Sequence, residues 1–190
     1  MANLGKREAI LGRIAVAGIL VFVAVVVSLH FVQPGYDATT QLMSELALGP
    51  HGEFMYVAFG GLAVATLGVA LGLCSGKEVF VLRALLVVAS LCFAIAGIFT
   101  LGSGAQIHIV SVAVGFVLVV LAMYLGPRFG EQALLPSAGS SWSLAAGAAL
   151  SVAAGHSVLP MGISQRLGVS FIIVWLILAA FLQIKVRRNV

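Results

Sequence analysis

Six apolar runs of similar length divide the chain, at residues 14–31, 54–74, 84–101, 107–125, 142–159 and 167–184. Each approaches the roughly 20 residues that carry a helix, at 1.5 Å per residue, across about 30 Å of hydrocarbon. A backbone in that medium has no water to bond, so the runs are predicted as helices rather than strands. The first run follows Lys6, Arg7 and Arg13 as a signal peptide would, but it is longer than one and lacks a small-residue cleavage site, so it is expected to stay as the first span. The predicted fold class is all-α: a polytopic membrane protein, one six-transmembrane-helix bundle over residues 1–190.

Between the first two runs lies a polar interlude, residues 33–53, reading QPGYDATTQLMSELALGPHGE. Pro34 ends the run before it, Asp37 is placed to cap a helix starting at Ala38, and Gly49 with Pro50 stops that helix. Ala38, Leu42 and Leu46 fall four apart as an apolar stripe, and Asp37, Gln41 and Glu45 repeat the spacing as a polar one. The pattern predicts a short interfacial helix between spans one and two. The fifth run is dominated by small residues and the second carries Gly61, Ala65, Gly68 and Gly72 on one stripe. Both predict close helix packing inside a bundle.

Composition agrees with the runs. The chain is 62% hydrophobic and 8% charged with mean hydropathy +1.18, where a soluble domain carries about a quarter of its residues as charges. A net charge of +4 and a pI near 9.5 would suggest nucleic acid in a soluble protein. Here the basic residues sit at the ends of apolar runs, where they set topology, and nucleic acid is not an expected partner. With the N-terminus inside, Lys6, Arg7, Arg13, Lys77, Arg83, Arg128, Lys185, Arg187 and Arg188 fall on the cytoplasmic side, nine of the ten Lys and Arg residues, and only Arg166 falls outside. Both termini are therefore expected in the cytoplasm of a cell-membrane protein, and the interlude outside. Cys74 and Cys92 lie at the end of one run and inside the next, so they read as packing residues.

This topology gathers the titratable groups. His30, His51, His108 and His156 all lie at or near the outer face, with Tyr36, Asp37, Glu45, Glu53, Gln106, Gln165 and Arg166. Ionisable groups at membrane depth are costly and usually face a cavity or a partner. The pattern predicts an extracytoplasmic polar pocket between the spans, with Tyr36, Asp37, Ser44, Glu45, His108 and Arg166 as its ligand-binding candidates. Arg166 is expected to pair with Asp37, Glu45 or Glu53 and dock the interlude. Histidines at span ends also tolerate the interface without sharing a site. His30, His108 and His156 are the candidates for a metal such as zinc with an open position for water, although no HxxxH, HExxH or HxH spacing supports it. No cofactor is specified, and neither a haem pair nor a phosphate-binding glycine loop is indicated.

The stretch YDATTQLMSELALGPHGEFM resembles the bacterial and archaeal six-span family catalogued as domain of unknown function nine-nine-eight. The resemblance continues through Gly97, Ile98 and Phe99, through His108, and through Gln165 and Arg166 before a last run containing Trp175. It implies that Tyr36, Ser44, Glu45, His108 and Arg166 are the typical positions. Members often carry an acidic residue after the third span, where this chain has Thr100, Leu101, Gly102, Ser103 and Gly104. The family is also distantly similar to eukaryotic six-span proteins of the autophagy-modulator and lipid-anchor-remodelling type. The resemblance implies no particular reaction. The expected activity is binding of a lipid headgroup, a small quinone-like amphiphile or a partner protein among membrane lipids. The alternative is a metal-dependent membrane hydrolase or transferase at the outer face. No charged residue near mid-span and no broken half-helix pair favours a transporter.

Overall fold

The structure, a computed structural model, describes residues 2–73, 77–129, 134–155 and 157–186. Cys74, Glu131, His156, Arg187 and Arg188 lie outside the described residues. The described residues form six α-helices and no strand: α1 (Ala2–Val32), α2 (Met55–Gly72), α3 (Lys77–Ile98), α4 (Leu101–Phe129), α5 (Ala138–Ala154) and α6 (Met161–Val186). Two 3-10 helices, η1 (Met43–Leu48) and η2 (Gly52–Phe54), stand between α1 and α2. Five segments are long and apolar enough to cross a membrane: Gly5–Val32, Gly52–Gly72, Val79–Ile98, Leu101–Arg128 and Met161–Lys185. The chain is a multi-pass membrane protein by that length and composition. With 17 residues, α5 is the shortest of the six helices.

Neighbouring helices run antiparallel. Gly18 meets Gly61 while Leu11 meets Gly68, which fixes α1 against α2. Ser90 Oγ donates to the Ala63 carbonyl at 2.9 Å and Gly97 lies on Phe59, which fixes α3 against α2. Phe93 packs on Gly115 and Leu82 near Gly126, so α4 returns along α3. Trp142 Nε1 donates to the Tyr124 carbonyl at 3.0 Å at one end of the α4–α5 pair. Ser164 Oγ donates to the Ser151 carbonyl at 2.7 Å, and Trp175 Nε1 to Ser141 Oγ at 3.0 Å, so α6 runs back along α5. Helix α6 then closes on α1, with Gly12 against Ala180, and touches α2 and α4 as well. Its Trp175, Leu176, Ala179 and Ala180 are fully buried. The interlude covers the end where α1, α3 and α5 finish, and the start of α1 and the end of α6 belong to the other.

The glycine stripe acts as its spacing suggests. A Cβ on Gly61 would stand 2.6 Å from the Gly18 carbonyl oxygen, so α1 and α2 approach to backbone contact, and this close packing is what small residues permit in the absence of a hydrophobic force between spans. Three expectations need correction. Helix α1 begins well before residue 14, because its charged first turns stay helical with Lys6 and Arg7 exposed. Helix α5 does not sit inside the bundle. It buries only Ser141, Ala145, Ala148 and Ser151, Gly147 packs on the Phe171 ring of α6, and Gly139, Ser140, Ser143, Ala146, Ala149 and Ala153 face outward.

The third correction concerns the interlude, in which no single α-helix starts at Ala38. Asp37 closes one turn, accepting from Thr39 N–H at 2.9 Å and from the Thr40 hydroxyl at 2.7 Å, and the chain then enters η1. In a 3-10 helix residues three apart share a face, so Met43 and Leu46 point inward together, with Ser44 beside them, in place of the stripe four apart. Side-chain bonds hold this path. Glu45 Oε1 accepts from Leu42 N–H at 2.9 Å, and Gln33 Nε2 donates to the carbonyls of Leu46 and Pro50, both at 2.8 Å. Gln165 Oε1 accepts from Met43 N–H at 2.6 Å. Gly162 lies beneath the turn, where a Cβ would meet the carbonyl oxygens of Ala38, Gln41 and Thr39.

Candidate functional site

The expected residues separate into two groups. The first is a clamp built on Arg166. Its Nη1 donates to the carbonyls of Gln41 and Gly162, both at 2.9 Å, and its Nη2 to His30 Nε2 at 3.0 Å and to the Tyr36 oxygen at 2.5 Å. His30 can accept there because its Nδ1–H donates to the Val26 carbonyl one turn earlier at 2.5 Å. The Tyr36 hydroxyl donates onward to the Leu42 carbonyl at 2.8 Å, its ring meets His30 edge-on at 5.0 Å, and the guanidinium carbon lies 5.6 Å from the ring centre. Burial pushes the Tyr36 phenol up, with the Arg166 hydrogen bond and charge opposing it.

The expected ion pair does not form. Among the described residues no carboxylate reaches Arg166, and Glu53 lies instead 4.0 Å from the His51 ring on the surface. Carbonyls, an imidazole lone pair and a phenol satisfy the guanidinium instead, because its planar fork matches several acceptors in fixed directions. Asp37 is fully exposed, and hydrogen bonds from Thr40 and Thr39 hold its carboxyl below the ordinary value. Glu45 serves the backbone of η1. His51 is exposed and takes a left-handed backbone at φ 60° as the turn into η2. The Arg166 clamp, and not these three side chains, fastens the interlude to α1 and α6.

The second group surrounds a chamber. Helix α3 ends beneath the interlude, leaving carbonyls of its last turn without partners in their own helix. His108, seven residues into α4, supplies one: its Nδ1 lies 2.8 Å from the Ala96 oxygen and 3.0 Å from the Phe99 oxygen. Two carbonyls at one nitrogen require the proton to be there, so in the neutral ring Nε2 carries a lone pair. The residue is 2% exposed, Phe59 packs edge-on against its ring at 5.2 Å, and Nε2 has no hydrogen-bond partner. Buried acceptors without partners are uncommon and call for an explanation.

His108 lines a cavity of about 300 Å³ between α4, α5, α6 and η1, whose polar members are His108, Ser44, Ser164 and Gln165. Ser164 is committed to the Ser151 carbonyl. Gln165 uses its oxygen on Met43 and keeps its amide N–H groups. Ser44 is buried, and no hydrogen bond of its hydroxyl is found among the described residues. The cavity mouth is apolar: Ile109, Val117, Val152 and Met161 line it and are exposed on the outer faces of their helices. A smaller cavity of about 40 Å³ under η1 shares Ser44, Val112, Phe116, Gln165 and Val169 with it, so the two lie side by side.

Of the candidates, then, Ser44 and His108 line the chamber, Tyr36 and Arg166 with His30 form the clamp, and Asp37 and Glu45 hold the interlude backbone. His30 has both ring nitrogens engaged, and no group of three or more metal-binding side chains converges among the described residues. Sequence reasoning passed over Gln33 as a pin and Ser164 and Val112 as chamber walls. A glutamine directly before Pro34 at the end of an apolar run was a signal for the first, since such an amide has to find partners near the interface. The other two carry no signal of their own.

No curated protein and no solved structure matches the chain. Residues 16–182, nearly all of the helical bundle and both groups of the site, match the family described as "Protein of unknown function (DUF998)", and the chain belongs to that family.

Proposed function

We propose that this is a six-span cell-membrane protein, with both termini cytoplasmic, that binds an amphiphile from the surrounding lipid in the chamber beneath its extracytoplasmic interlude. The apolar chain of the ligand lies along α4 and α6, and its polar head meets Ser44, His108 and Gln165. The observation that carries this reading is His108 Nε2, a buried acceptor with no protein partner on a residue that lines a largely apolar cavity. A volume of about 300 Å³ stands at the lower end of the range of roughly 300–1,000 Å³ for small-molecule sites, which suits one chain. The sixth crossing is supported by α5, whose first turns meet Tyr124 and whose last turns meet Ser164, at opposite ends of its neighbours.

This reading moves the site from the place that the sequence pattern indicated. Arg166 has its Nη donors engaged on protein acceptors, so it holds the roof and does not receive an anion. The test is photolabelling of purified protein in detergent with a long-chain amphiphile carrying a diazirine on its tail. Label is expected on α4 between Ile109 and Val117 and on α6 near Val169. Val112→Trp, which fills the chamber, is expected to abolish it without loss of folded protein. Label spread evenly over exposed helix faces, unchanged by Val112→Trp, would refute the site.

A further inference from the structure

Resting on that reading of the chamber, we infer that the head of its ligand is an uncharged hydroxyl, as in a long-chain alcohol or a monoacylglycerol, which donates its proton to His108 Nε2. The orientation of His108 dictates the donor. With Nδ1–H given to the Ala96 and Phe99 carbonyls, the free nitrogen of the neutral ring can only accept, so the ligand must bring an O–H or N–H. Ser44 and the Gln165 amide supply groups that can donate back to the same oxygen. A hydroxyl is the smallest head that both donates and accepts.

Charge selects against the other common heads. No Lys or Arg side chain lines the chamber, and the nearby cation, Arg166, has both Nη nitrogens engaged in the clamp. A phosphate or carboxylate would place its charge against an imidazole lone pair in an apolar cavity, with no cation to offset the lost hydration. A quaternary ammonium head has no proton to give Nε2. Access comes from the bilayer side: the mouth residues Ile109, Val117, Val152 and Met161 lie on helix faces that the bundle leaves exposed. From His108 to Val117 the groove follows roughly 13 Å of α4 at 1.5 Å per residue, so a single chain lies along the helix with its head at the buried end.

The test is competition against the diazirine probe by four compounds of equal chain length: a primary alcohol, a monoacylglycerol, a fatty acid held ionised and an alkyl phosphate. In the wild type the alcohol or the monoacylglycerol is expected to compete about tenfold better than the two anions, the scale of one useful hydrogen bond, and which of the two is stronger identifies the source of the hydroxyl. His108→Asn keeps a donor for the α3 carbonyls but lacks the acceptor at Nε2, so the preference is expected to fall to within about threefold of unity. Should that variant not fold, the wild-type series and Ser44→Ala, expected to weaken the alcohol more than the anions, decide the matter. Anions that compete as well as the alcohol overturn the hydroxyl assignment and leave the chamber standing. A preference that survives in His108→Asn overturns His108 as its reader. Failure of all four compounds to displace label from the chamber removes both this inference and the reading beneath it.

Discussion

Arg166 holds its charge against neutral acceptors, and this makes its removal costly in a way that an ion pair on the surface would not be. Hydrogen bonds to charged groups contribute about 1.5–3 kcal/mol each, and Arg166→Ala leaves His30 Nε2 without its donor and the Gln41 carbonyl with only a long 3.4 Å bond from the Tyr36 hydroxyl. A loss of about 2–4 kcal/mol is expected by thermal unfolding in detergent. Arg166→Lys should recover less than half of it, because an ammonium cannot address acceptors lying in the plane of a fork. Tyr36 gives a pH signature. The folded protein holds the phenolic proton more tightly than the unfolded chain, so the associated stability is intact below the ordinary value of 10.0 and is lost as pH rises from there through the raised folded value. Unfolding temperature should therefore fall more steeply above that pH in the wild type than in Tyr36→Phe. A polar arginine at the end of a run was visible in the sequence, but its partners were not. Opposite charges suggested Asp37, Glu45 or Glu53, whereas the acceptors are carbonyls, which every residue carries and no sequence marks. The same holds for His108, whose partners belong to the preceding helix.

At the scale of the helix pair, α1 and α2 approach so closely that adjacent glycines differ in what they tolerate. A Cβ at Gly61 meets a backbone oxygen at 2.6 Å, while one at Gly60 meets nothing within 4 Å. Gly61→Ala is expected to destabilise by about 1–3 kcal/mol, as overpacking does, and Gly60→Ala to be neutral or stabilising by up to about 1 kcal/mol through helix propensity. Paired thermal melts of the two variants check this. The six helices were legible because the bilayer demands long apolar runs, and their ends were less so. Charged residues on the exposed side of α1 interrupt the run without interrupting the helix. In the interlude the spacing of four was real, but Gln33, Glu45 and Gln165 bind backbone groups there and draw the chain into 3-10 turns. Local periodicity does not report such side-chain bonds to the backbone, least of all the one from Gln165, 122 positions from Met43.

For the whole molecule, the antiparallel order places η1 and η2 at one end and the start of α1 and the end of α6 at the other. With Cys74 and Cys92 replaced, a cysteine introduced at His51 is expected to react with an impermeant maleimide applied outside intact cells, and one introduced at Ser137 only after permeabilisation. The reverse pattern would invert the proposed orientation. The roof over the chamber also has an unusual dependence on the order of synthesis. Its fastenings to α6 run from Thr39 to Ile163, from Met43 to Gln165, and from Tyr36 and Gln41 to Arg166. A ribosome makes residues 33–53 early and their anchor last, so the segment crosses most of translation undocked. Chains arrested before α6 should be cut there by an external protease that spares the finished protein.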